Sequence, residues 1–93
     1  MFCVLRLELE LPHAFSLKDK RQTLRSVKDR LRRRNISVAE VDRHDSWRRA
    51  TLEFAAAAVS HGAADEKLQE IRQILLAYDD LFILDWHEEV IKL

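Results

Sequence analysis

The chain has 93 residues, 47% of them hydrophobic, and its sixteen basic and sixteen acidic side chains cancel to a formal net charge of zero. That length suits one domain whose core buries roughly 60–65% of the unfolded surface. No run approaches the roughly 20 apolar residues that span a bilayer, and one cysteine, Cys3, excludes an intramolecular disulfide or a cysteine metal cage.

Phe2–Leu11 alternates, with Leu5, Leu7, Leu9 and Leu11 on one side and Arg6, Glu8 and Glu10 on the other, which predicts a half-buried strand. Cys3 in such a strand reads as a buried, inert thiol. Charges enter this segment too early for a signal peptide, so a cytoplasmic protein in a reducing compartment is expected. Pro12 ends the strand, because proline cannot donate to a ladder.

The spacing then predicts a helix over Ser16–Arg34. Leu17, Leu24, Val27 and Leu31 line one face, Ser16 stands at the N-cap position, and Asp19 favours the positive end. This stretch holds nine of the sixteen basic residues against two acids. At about 100° per residue, Lys18, Arg21, Arg25, Lys28 and Arg32 fall on one flank of the apolar stripe. A continuous cationic stripe of that kind fits backbone phosphates, and the arginine fork grips phosphate better than a lysine point charge. The competing reading is a solvated face, neutralised in part by pairs such as Arg25–Asp29.

Asn35 is a candidate left-handed stop. Ile36–Val41 reads as a second strand, Asp42–Trp47 as a turn, and Arg48–Ser60 as a long third strand, despite the helix propensity of its four alanines. Ser60, His61 and Gly62 read as a break. Ala64, Leu68, Ile71, Leu75 and Tyr78 predict a second helix over Asp65–Tyr78. Leu81–Leu93 is a last strand, with Phe82, Leu84 and Trp86 of one parity and Ile83, Ile91 and Leu93 of the other.

The order βαββαβ gives an α+β, ferredoxin-like sandwich: a four-stranded antiparallel sheet with two helices on one face, spanning residues 1–93 as one domain. The other face, with Phe2, Val4, Ala55, Ala57 and Val59 at one end, is expected to be bare. A homodimer through that face or a sheet edge would cover it.

Other chemistry is thinly supported. Asp42, His44 and Asp45 lie close together, yet a closed metal site needs four ligands and turn bonding explains the aspartates. The four histidines are scattered without a nucleophile–base spacing, and Glu88 and Glu89 point to opposite faces of a strand. No cofactor or catalysis is expected. Trp47, a large aromatic at a hairpin end, is either packed at the core edge, the commoner outcome, or presented for stacking. Phe54 is expected to face inward, so the sheet does not read RNA as an RRM does.

Two segments, LRLELELPHAFSLKDKR at residues 5–21 and NISVAEVDRHDSWRRATL at residues 35–52, together resemble the YlxP-like family of small bacterial proteins, a domain of unknown function. Members are ferredoxin-like, and their genes often adjoin those of translation-initiation, transcription-elongation and ribosome-maturation factors. The resemblance therefore implies a role near RNA or the ribosome. By motif it points to Ser16, Leu17, Lys18, Asp19, Lys20, Arg21, Glu40, Asp42, Asp45 and Trp47. This chain departs where the family has QRA and a following LG, with Arg49 and Glu53, and both changes alter charge near the hairpin.

Read together, these features predict a non-catalytic RNA- or ribosome-associated module. Lys18, Lys20, Arg21, Arg25, Lys28 and Arg32 would hold phosphates, and Trp47, Arg48 and Arg49 would extend the surface. The alternative is a homodimeric protein-interaction module whose basic helix engages an acidic protein partner.

Overall fold

The computed structural model describes residues 1–93, in the order β1 (Phe2–Glu10), α1 (Leu17–Arg32), β2 (Ser37–Asp42), β3 (Arg49–Ala57), α2 (His61–Leu76) and β4 (Phe82–Ile91). The strands form one antiparallel sheet in the order β2-β3-β1-β4. This is the expected ferredoxin-like arrangement.

Alternation in β1 sets the core. Leu5, Leu7 and Leu9 are buried and pair with Phe54, Leu52 and Ala50 of β3. Leu24, Val27 and Leu31 of α1 and Ala64, Leu68, Ile71 and Leu75 of α2 join the same cluster. Each fully buried leucine contributes about 1.5–3 kcal/mol of transfer free energy, so the stripe on α1 fixes which flank of that helix stays wet.

The ends of α1 follow from its sequence. Ser16 Oγ accepts from the Asp19 N–H at 3.1 Å, and the Asp19 carboxylate accepts from the Phe15 N–H at 3.0 Å. Asn35 takes a φ of 60°, the left-handed stop expected of it.

Three expectations are corrected. The residues read as a break instead start α2: Ser60 is its N-cap, accepting from the Ala63 N–H at 3.1 Å, and Gly62 lies in the first turn. Glycine is cheaper there than mid-helix, where its loss of backbone freedom costs about 0.5–1 kcal/mol relative to alanine. Strand β3 accordingly stops at Ala57.

The alternation of β4 is not unbroken. Ile83 pairs with Leu9 but Asp85 with Glu8, leaving Leu84 as an extra residue. That bulge puts Ile83 and Trp86 on the same, helix-covered side, although their sequence parity differs.

The open face is not bare either. Ion pairs Arg6–Glu53 (3.6 Å), Arg43–Glu8 (3.2 Å) and Arg49–Glu10 (3.4 Å) lie on it, and His87 Nε2 lies 3.1 Å from Asp85 Oδ2. Thr51, fully buried, donates to both Glu8 oxygens at 2.8 and 2.9 Å. Exposed apolar surface persists at one end, at Phe2 and Ile91. No helix is long and apolar enough to cross a membrane.

Candidate nucleic-acid interface

Four of the cationic residues of α1 share one groove. Arg21, Arg25, Lys28 and Arg32 line a depression of about 260 Å³ beside β2, with Leu24 and Glu40 completing its walls. Their spacing of four, three and four residues corresponds to rises of about 6, 4.5 and 6 Å along the helix, so the row is about 16 Å long. None of the four forms an ion pair with a carboxylate of the chain, and the conceivable Arg25–Asp29 pair is absent. Arg21, Arg25 and Arg32 are exposed and Lys28 is half-buried. Burial of the leucine stripe is what leaves this flank free: the same helical period that sends Leu24, Val27 and Leu31 inward sends these cations outward.

Lys18 is exposed but lies outside the lining of that groove. Lys20 must be removed from the set of surface cations. It is only 2% exposed, and its ammonium meets Arg43 O at 2.7 Å, Ser46 O at 2.8 Å and Glu40 Oε2 at 2.7 Å. Two carbonyls accept hydrogen bonds from the buried ammonium and the Glu40 carboxylate balances its charge, which leaves it little to offer a ligand. What it does instead is hold the β2–β3 loop against α1 and cancel the one acid in the groove.

Arg48 and Arg49 are exposed yet already engaged. Arg48 Nε donates to Ala14 O at 3.3 Å, and its guanidinium lies 5.6 Å from the centre of the Phe15 ring. Arg49 is the partner of Glu10 on the open sheet face, away from the groove. Trp47 is not core: it is 51% exposed. Farther along α1, Arg30 stacks on Tyr78 at 5.5 Å, and just beyond the helix Arg34 is 3.9 Å from Glu70 of α2.

The remaining candidates do local work. Asp42 Oδ1 accepts from the Arg43 N–H at 2.7 Å and His44 Nε2 lies 3.1 Å from Glu40 O, so both serve the turn. Burial pushes the Cys3 thiol above its ordinary pKa, which keeps it in the unreactive neutral form. Phe54 is buried on the helix side, as expected. A broader trough of about 720 Å³ lies on the open sheet face, lined by Val4, Arg6, Ala39, Glu53, Ala55 and His87 among others. Its one cation with a permanent charge, Arg6, is paired with Glu53, in contrast to the cations of α1.

The α1–β2 contact could have been found from the sequence. Lys20 stands three residues after Leu17 and four before Leu24, a stripe position that an apolar residue normally fills. A lysine in a buried slot requires an acid opposite it, and Glu40 is that acid.

Residues 2–88 match the family model described as protein of unknown function, DUF503. The chain is also 33% identical, over 70 residues, to the uncharacterized protein YlxP of Bacillus subtilis (strain 168), an alignment covering 74% of this chain and 72% of the relative.

Proposed function

This chain belongs to the DUF503 family of YlxP-like proteins, and we propose that it is a non-catalytic RNA- or ribosome-associated module that holds phosphates along α1. The observation that carries this reading is the groove itself: four cations in a row with no carboxylate of the chain paired to them. Unpaired cations gathered in one groove raise the local potential and attract a polyanion, and the binding energy comes from released counterions. Lys18 adds to the field from the next turn.

The test is a salt series with a structured RNA, followed by electrophoretic mobility or anisotropy. Affinity should fall steeply as salt rises, and the charge reversals Arg21→Glu, Arg25→Glu and Arg32→Glu together should abolish it while leaving the far-UV spectrum unchanged. Salt-insensitive binding, or retention of affinity in the triple variant, would count against phosphate contact.

A second reading keeps the groove and changes the partner. Residues 51–93 carry three basic against nine acidic side chains, so a homodimeric protein-interaction module with an acidic partner is its natural rival. Capture of partners before and after nuclease treatment separates the two: a nuclease-resistant partner supports the rival.

A further inference from the structure

The loop joining β2 to β3 is fastened at nearly every point except its largest side chain. Asp42 Oδ1 accepts from the Arg43 N–H, the Ser46 N–H donates to Arg43 O at 3.0 Å, and Lys20 donates to the carbonyls of Arg43 and Ser46. Arg43 Nε reaches Glu8 at 3.2 Å, and the Leu11 N–H donates to Arg48 O at 2.8 Å. Trp47 sits between these anchors with half its surface in water. The other tryptophan makes a useful contrast: the indole N–H of Trp86 donates to Glu88 at 3.0 Å and its ring lies 4.2 Å under Arg72. No such partner engages Trp47, although exposing an indole on an ordered loop costs hydrophobic free energy.

Its place relative to the groove is fixed by Lys20. The ammonium is 2.7 Å from Glu40, which lines the groove, and 2.8 Å from the carbonyl of Ser46, the residue before Trp47. The backbone that carries the unpartnered ring therefore lies near the N-terminal end of the cationic row. We infer that Trp47 is a stacking platform for an unpaired base, and that the nucleic acid taken by the groove is single-stranded RNA or the unpaired loop of a folded one. This rests on the phosphate reading above and adds to it. Bases in an A-form duplex are stacked on one another and cannot offer a face to an indole, whereas unpaired ones can. Because the loop is already ordered, stacking carries little further entropic cost. The exposed ring of Phe15, with Arg48 over it, widens the apolar surface at the same end.

The test compares a single-stranded oligoadenylate with a blunt RNA duplex, using chain labelled with fluorotryptophan. Its two fluorine resonances are assigned with Trp47→Phe. Oligoadenylate should move the Trp47 resonance and leave that of Trp86 in place. Trp47→Ala should weaken oligoadenylate binding about 5- to 100-fold, the effect expected of losing one stacked base, and should change duplex binding little. Salt-sensitive binding of both RNAs alike, with the Trp47 resonance unmoved, would overturn the stacking inference and leave the phosphate reading standing. Absence of salt-sensitive binding to either RNA would overturn both.

Discussion

Lys20 shows most clearly how one side chain shapes this surface. It occupies a stripe position among leucines, yet its ammonium is satisfied by two loop carbonyls and Glu40. Replacing it by methionine would keep the apolar stem and strand all three acceptors. A buried pair broken on one side typically costs about 3–5 kcal/mol. The low end, about 3 kcal/mol, is expected here because the Glu40 side chain keeps 15% of its exposure. Urea denaturation of Lys20→Met should show that loss, and adding Glu40→Gln should recover part of it by removing the uncompensated charge. A double variant no more stable than Lys20→Met alone would mean that the carboxylate is not what the lysine answers. Charge alone groups Lys20 with the surface cations, whereas the slot between Leu17 and Leu24 belongs to the core. The outward positions of Arg21, Arg25 and Arg32 were legible because they depend only on helical period. The exposure of Trp47 was not, since it depends on how a loop folds back on α1.

At the scale of elements, local signals sufficed wherever one pattern acted alone. The leucine alternation of β1, the stripe and cap of α1 and the left-handed Asn35 all appear where the sequence places them. Failures occurred where two signals competed. At Ser60–Gly62 the glycine signals a break while the serine signals a helix start, and the serine's cap prevails. In β4, the register with β1 inserts Leu84 as a bulge, and periodicity cannot reveal a shift imposed by a neighbouring strand. The start of α2 can be checked directly. Ser60 Oγ satisfies the Ala63 N–H, and no acidic residue stands in the first turn to help it. Ser60→Ala should therefore cost about 1 kcal/mol, which for a domain of this size lowers Tm by about 4–8 °C. Ser60→Asp should retain the native Tm, because its carboxylate can accept the same hydrogen bond at the positive helix end. Calorimetry on the two variants distinguishes capping from a simple change of volume.

Across the whole molecule, the neutral total conceals a division of charge. The groove cations stand beside β2, one edge of the sheet, while Asp85, Glu88 and Glu89 belong to β4 at the other. Three strand spacings, about 14 Å, separate those edges, more than a Debye length at physiological salt. Each side therefore presents its own field, and a polyanion is drawn to one edge and repelled from the other. The size of the effect follows from the number of phosphates held. Each phosphate contact on a single strand contributes about −0.7 to the slope of log K against log salt. Four groove cations should therefore give a slope of about −3 with oligoadenylate. Arg25→Ala should reduce its magnitude by about 0.7, whereas Arg49→Ala should leave it unchanged, because Arg49 faces Glu10 on the opposite side of the sheet. Equal slopes for these two variants would mean that the chain binds through diffuse charge, and the row along α1 would lose its claim to be a site. A slope that falls only with Arg25→Ala ties the counterion release to that row.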